Sequence, residues 1–422
     1  MHALQQVGPP KTIGTKQSSR YENTLVAVLA LAGGISALDA QAVFFLMPFI
    51  AADLKLDNTQ IGLIGSAVLI SWSVAGVVIA QVSDRSGKRK PYLVGAFVIF
   101  GLFSVVSALA RSFVTMFLAR LAMGFAEGPV IPMQQSIMHQ ESSPHRRGLN
   151  MGLVQNFGAQ FLGSLVAPIL MVWIAEKIGW RMAFLVAGGP GLIVAFLLHW
   201  LVREPVLPSE AGASARHEKR AFFTDFLMLL RVRNVFVSIL IGSSAVAWYF
   251  GMLTFLPLVA VGELGLSPGT MSVIVSMVGA AGAVSAILVP GMSDRIGRRK
   301  AIILFACLGI IAPGGVFFFG ADAFWLGAAV FIGSFMLGTF PLFMGAVPIE
   351  AVPASHAASA SALVICISQL VGGVCGPALG GILADHFGRT VPLGACMALA
   401  ALAGAFAFLL REPAVPVRES TP

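Results

Sequence analysis

Ser83-Asp84-Arg85-Ser86-Gly87-Lys88-Arg89-Lys90 lies between two long apolar runs, and 210 positions later the chain repeats it as Ser293-Asp294-Arg295-Ile296-Gly297-Arg298-Arg299-Lys300. So much charge around a turn-permitting glycine is incompatible with hydrocarbon. It fits a tight hairpin on the cytoplasmic side of a membrane. The offset is close to half of the 422 residues, so the repeat predicts two related halves.

Composition leads to the same place. The chain is 57% hydrophobic and 11% charged, with a mean hydropathy of +0.88. Soluble domains carry about 25% charged residues and could not hide this much apolar surface from water. The class is a polytopic membrane protein. The net charge of +8 reflects loops held at an anionic membrane face and does not indicate nucleic acid as a partner. The cysteines Cys307, Cys366, Cys375 and Cys396 all fall in apolar runs and read as small core residues rather than a disulfide framework. The histidines lack metal-ligand spacing and no phosphate-binding loop is present, so the chain reads as neither an enzyme nor a metal protein.

A helix crossing about 30 Å of hydrocarbon needs about 20 apolar residues. That ruler predicts twelve spans, near 24–51, 58–81, 90–111, 114–138, 148–175, 180–201, 234–258, 268–292, 300–320, 324–348, 358–384 and 389–410. The expected organisation is a cytoplasmic tail (1–22), a six-helix bundle (23–202), a cytoplasmic linker (203–233), a second bundle (234–411) and a short tail (412–422). Phe222-Phe223 and Phe226 suggest that the linker holds a helix lying on the membrane surface. With the N-terminus inside, 21 of the 27 Lys and Arg fall in cytoplasmic segments, so both termini are expected in the cytoplasm.

Other landmarks recur at similar offsets. Pro168 precedes Gly179 by eleven residues, as Pro377 precedes Gly388. Arg203-Glu204-Pro205 and Arg411-Glu412-Pro413 end the sixth and twelfth spans. Asp57 with Gln60 predicts a capping box at the start of the second span, and Ser267-Pro268 an N-cap with proline at the first helical position of the eighth.

Charges inside spans are rare and costly, about 2.5–3.5 kcal/mol each on insertion scales. Three are present: Asp39 in the first span, and Arg120 and Glu127 in the fourth. Arg120, Glu127 and Gln134 are spaced by sevens and share a helix face. Asp39 falls at a depth between Arg120 and Glu127. One reading is a structural pairing of the first and fourth spans, but that leaves one of the two acids unmatched. The other reading is a proton site coupled to an anion site, because a buried carboxylate without a partner tends to take up a proton. No charge stands at the matching positions of the second half. Asp39 maps there onto Trp248, beside Tyr249 and Phe250, which are either packing residues or an aromatic surface of the site. Gln160 and Gln369 form a symmetric pair of amides with Asn156 nearby, either lining a cavity or joining helices.

Twelve helices in two parallel halves, with an aspartate-arginine-glycine-basic hairpin after the second and the eighth, resemble the major facilitator superfamily. The resemblance implies an all-α fold of two pseudo-symmetric six-helix bundles, which rock around a central site to give alternating access. It makes Asp84, Arg85, Gly87, Arg89, Asp294, Arg295, Gly297 and Arg299 a cytoplasmic gate motif. Family members usually carry glycine where Ala80 and Pro290 stand here. Arg120-Leu-Ala-Met-Gly124-Phe-Ala-Glu127-Gly128 with Pro132 resembles the anion:cation symporters, and is similar to bacterial spinster-type proteins and aromatic-acid:proton symporters. In the sugar-acid members the residues matching Asp39, Arg120 and Glu127 couple transport to protons, and an arginine usually follows the first acid. Here that neighbour is Ala40.

The expected function is therefore proton-coupled uptake of a small organic anion, most simply an aromatic carboxylate. Asp39 and Glu127 would carry the proton. Arg120, Gln134, Asn156, Gln160, Trp248, Tyr249 and Gln369 would meet the substrate. The aromatic preference follows from Ala40, from Phe44 and Phe45, and from Trp248-Tyr249-Phe250. A sugar-acid symporter and a proton-antiport exporter of a hydrophobic compound or lipid are the alternatives. The expected setting is a monomer in a bacterial-type inner membrane, with no cofactor beyond the coupling proton.

Overall fold

The computed structural model describes residues 19–143, 146–154, 158–204, 228–353 and 356–411. The linker phenylalanines, Asn156 and both outermost tails lie outside these residues. The first half comprises α1 (Ser19–Leu54), α2 (Asn58–Ser86), α3 (Lys90–Ala108), α4 (Phe113–Met138), α5 (Ala159–Ile178) and α6 (Trp180–Leu201). The second comprises α7 (Arg233–Gly262), α8 (Pro268–Ile296), α9 (Arg298–Phe319), α10 (Ala323–Glu350), α11 (Ser359–Phe387) and α12 (Val391–Ala407). The described residues hold eleven helices long and apolar enough to cross a membrane, and α12 is shorter at 17 residues. Single-turn hydrogen bonds carry the chain on from α12 to Leu410. Ile287, Phe318 and Trp200 are among the large apolar side chains turned outward, where a bilayer rather than water must meet them. The protein is an integral membrane protein.

The helix starts follow their caps. Asp57 accepts from the Gln60 amide and Gln60 reaches back to Asp57, closing the expected capping box. Ser267 caps α8 ahead of Pro268. Some boundaries differ from the hydropathy reading. α1 begins at Ser19, so Arg20, Tyr21 and Glu22 are helical rather than tail. α2 and α8 run through Ser83–Ser86 and Ser293–Ile296, so the hairpins shrink to the turns at Gly87 (φ 65°) and Gly297 (φ 94°). A helix does not stop where hydrocarbon ends, because its polar last turn is equally stable in water. α5 is described from Ala159, behind a separate short helix, Arg147–Gly152. Of the four cysteines only Cys396 is buried; Cys307, Cys366 and Cys375 are exposed rather than packed in the core.

The hairpins tie neighbouring helices together. Arg89 donates from Nη1 to Ser83 Oγ (2.7 Å) and from Nε to Ser136 Oγ on α4 (3.1 Å). In the second half the corresponding work falls to Arg298, which contacts Ser293 Oγ (2.6 Å), Asp294 and Glu350 on α10 (3.2 Å). Arg299, the sequence equivalent of Arg89, lies instead over the Phe408 ring at 5.5 Å, and Arg295 is exposed. The register slips by one because Gly297 takes an extended positive-φ conformation and Gly87 a left-handed helical one. The side chains of Asp84 and Arg85 are outside the described set.

The halves meet along α2 with α11, α5 with α8, and α1 with α7. A Cβ added at Gly62 would fall closer than 3.0 Å to the Pro377 carbonyl, and one at Gly279 closer than 3.0 Å to the Ser164 backbone. At the end opposite the hairpins, Asp385 of α11 accepts from the backbone and side chain of Asn58 (3.0 and 2.9 Å) and from Thr59 N (2.8 Å) and Oγ1. These are the first amides of α2, which have no partner inside their own helix. Arg389 Nε donates to Asn58 Oδ1 (2.9 Å). That end of the bundle is latched across the two halves.

Candidate functional site

Glycines set the position of α4. A Cβ at Gly124 would come closer than 3.0 Å to the Val68 carbonyl of α2, and one at Gly128 closer than 3.0 Å to the Gly76 amide. This close approach fixes the height and rotation of the stripe carrying Arg120 and Glu127.

Asp39 and Arg120 are both completely enclosed. Arg120 Nη1 stands 3.8 Å from Asp39 Oδ2 and 3.4 Å from its backbone oxygen, and the guanidinium lies 4.5 Å from the centre of the Phe184 ring on α6. Ser104 of α3 donates to Asp39 Oδ1 at 2.6 Å. The pair is loose: Asp39 Oδ2 and the Nε and Nη2 groups of Arg120 have no hydrogen-bond partner among the described residues. Four helices of the first half close around it. Neither residue reaches the central cavity, so Arg120 does not stand where the sequence reading put it, as the substrate's direct partner. The ring of Phe184 and the α1 backbone take up the space its fork would need.

Glu127 does reach the cavity. Ser36, one turn before Asp39 on α1, donates to its Oε1 at 3.2 Å. The cavity has a volume of about 400 Å³, within the usual range for small-ligand sites. Phe44, Trp72, Tyr249 and Phe250 form its aromatic walls, and Ser36, Gln41, Glu127, Gln134 and Gln369 its polar ones. Phe44 and Phe250 meet across the two halves at 6.0 Å, and Tyr249 packs edge-on against Phe250 at 5.0 Å. Glu127 is the one acid, and no Lys, Arg or His is found, among the described lining residues. Gln134 donates one of its two N–H groups to the Leu29 carbonyl (3.2 Å), whereas Gln369 Oε1 is buried without a partner.

Trp248 and Gln160 are not among the cavity-lining residues. Trp248 is fully buried with Nε1 donating to Gly309 O on α9 at 3.0 Å, because α7 turns this residue toward its own half. Gln160 packs at the α5–α8 contact, where a Cβ on Gly282 would lie 3.1 Å from its Oε1. α5 and α11 each carry a π-helical stretch, Ala159–Val166 and Gln369–Val374, and this local widening rotates the two symmetric amides differently from an even α-helical wheel. Ser36, Gln41 and Trp72 were missed in the sequence reading. Gln41 carried a usable signal, an amide inside the first span; Ser36 and Trp72 carried none beyond their places on a helix wheel.

The comparisons with known proteins agree with the fold. A family profile described as Major Facilitator Superfamily matches residues 29–374. A hexuronate transporter of Bacillus subtilis (strain 168) is 28% identical over 88% of this chain and 90% of its own. A 3-(3-hydroxy-phenyl)propionate transporter of Escherichia coli (strain K12) is 26% identical over 71% of each. A crystal structure of a bacterial homologue of the human lysosomal transporter Spinster, inward-facing and unoccupied, superposes with a TM-score of 0.77 at 20% identity, over 93% of this chain and 97% of that one. With its duplicated hairpins, paired six-helix bundles and central cavity, the chain belongs to the Major Facilitator Superfamily of transporters.

Proposed function

We propose that the protein is a proton-coupled symporter that takes up a small planar organic carboxylate by alternating access. The observation that carries this reading is Glu127, the one acid among the described residues lining an otherwise aromatic and amide-walled cavity. Asp39, Arg120 and Glu127 together hold one net negative charge. A substrate anion entering beside them would add a second in a medium of low dielectric, where like charges repel strongly. A proton on Glu127 removes that repulsion. Anion and proton are then favoured together and disfavoured singly, which is the thermodynamic content of symport. In this reading Asp39 is the counter-charge that holds Arg120, and Glu127 is the proton's seat.

The aromatic walls support a flat substrate, since ring pairs contribute about 0.5–1.5 kcal/mol beyond simple burial. The named cargo of the Escherichia coli relative is an aromatic acid, and that of the Bacillus relative a sugar acid. Both bear a carboxylate. The lysine and arginine distribution supports placing the hairpin end in the cytoplasm, so the latched end faces outward and the cavity belongs to an inward-facing state. Protons then drive import across a bacterial-type inner membrane, with the chain working as a monomer.

One observation favours a second reading. A cavity without a described cation also suits a hydrophobic compound exported in exchange for protons. One assay separates the two. In proteoliposomes, an inward proton gradient accumulates a benzoate-type acid under symport and depletes the substrate under antiport. Glu127→Gln is expected to keep substrate exchange while abolishing gradient-driven accumulation. Full accumulation by that variant overturns the role given to Glu127.

A further inference from the structure

We propose that Gln41 is the group that receives the substrate's carboxylate, an inference that rests on the anion reading above and gives it a specific contact. Gln41 stands two residues after Asp39, about 200° around α1, so one helix shows its acid to the interior of the first half and its amide to the central cavity. The amide is held from two sides. Ser164 Oγ on α5 donates to Gln41 Oε1 at 3.2 Å, and Tyr249 OH on α7 donates to the same oxygen at 3.4 Å. A carbonyl oxygen has two acceptor positions, and both are taken. The NH2 end, with two N–H donors, has no partner among the described residues.

Its surroundings keep it free. A Cβ built on Gly163 would lie 3.1 Å from Gln41 Nε2, tighter than ordinary contact, so the bare α5 backbone at this point leaves the amine its room. Among the described lining amides, Gln41 is the one held through its oxygen from both halves. Arg120 is sealed behind Phe184, Gln134 gives one N–H to the Leu29 carbonyl, and the Gln369 oxygen is buried without a partner. A carboxylate on Gln41 would also sit where both halves join, because Tyr249 belongs to the second half and Ser164 to the first. Hydrogen bonds to a charged partner are the stronger kind, so their loss is expected to weaken binding about ten- to hundredfold.

The test uses the full chain in lipid nanodiscs with three probes: benzoate, its neutral isostere benzamide, and glucuronate. Wild type is expected to prefer benzoate over benzamide. Gln41→Met keeps length and removes the donors; it should lose about ten- to hundredfold in benzoate affinity while benzamide stays within about threefold, so the preference for the acid disappears. Gln41→Met with the wild-type preference intact overturns the proposal. If Gln41→Met does not fold, Ser164→Ala combined with Tyr249→Phe releases the amide from its two anchors. That pair must lower the acid preference, and an unchanged preference again overturns it. If wild type binds glucuronate but not benzoate, the aromatic part of the proposed function falls and Gln41 is judged on glucuronate alone. Binding of none of the acids by wild type overturns both readings.

Discussion

Arg120 shows how a single residue can keep its importance and change its role. The sequence marks it as an intramembrane cation to be explained, and the structure encloses it with Asp39 away from the cavity. Removing one member of a buried pair leaves an uncompensated charge, which costs about 3–5 kcal/mol, whereas replacing both by well-packed apolar or neutral groups is often neutral. Arg120→Met alone should therefore lower the detergent melting temperature sharply, and Arg120→Met with Asp39→Asn should recover most of the loss. Thermal unfolding of the two variants checks this; equal destabilisation of single and double variants would show that the loose 3.8 Å contact carries little of the stability. The three charges were legible in the sequence because ionisable residues in apolar runs are conspicuous. Their partners were not, since Ser36 and Ser104 are unremarkable in any helix. Nor could hydropathy tell that Trp248 faces α9, because α7 is apolar on nearly every side and its pattern does not mark a cavity face.

The elements were legible wherever a span is bounded by caps or a hairpin glycine. Helix rotation was the illegible part. The one-residue slip between Arg89 and Arg298, and the π-helical stretches in α5 and α11, both alter which side chain faces inward without altering composition. The α2–α4 contact gives a prediction at this scale. Gly124→Ala inserts a methyl against the Val68 carbonyl and the Ser71 hydroxyl. Overpacking of this kind costs about 1–3 kcal/mol. It should also shift α4 and carry Glu127 off its Ser36 contact, so transport should fall more than stability does. Comparison of transport rate with melting temperature in the same preparation tests it; a parallel, modest fall in both would mean that α4 yields without moving the site.

At the scale of the whole molecule, the twofold design was plain from the repeated hairpin, and the placing of the intramembrane charges in one half from the absence of charge in the second set of spans. The latch between halves was invisible, because Asp385 and Asn58 are more than 300 positions apart and neither is unusual where it stands. Asp385 bonds the free amides at the start of α2, while the capping box of Asp57 and Gln60 remains within α2 itself. Asp385→Ala should thus leave α2 folded but weaken closure of the end opposite the hairpins. Hydrogen exchange at residues 58–61 should quicken, and the protein should spend less time in the state described here. Unchanged exchange in that segment would mean that the close contact of Gly62 with Pro377 holds the end shut unaided.

The crowded glycines also bear on how this chain can drift. A glycine codon becomes an alanine codon by one base change, so alanine is always within easy mutational reach. At Gly62, Gly279 and Gly381 the new methyl would strike backbone of the opposite half, whereas at Gly95, Gly152, Gly189 and Gly291 it would meet nothing within 4 Å. The same small genetic step is therefore forbidden along the seam where the halves meet and silent a few turns away. The seam is inherited as a surface without side chains, and a lineage that lost this bareness would keep its helices and lose the close fit of its halves.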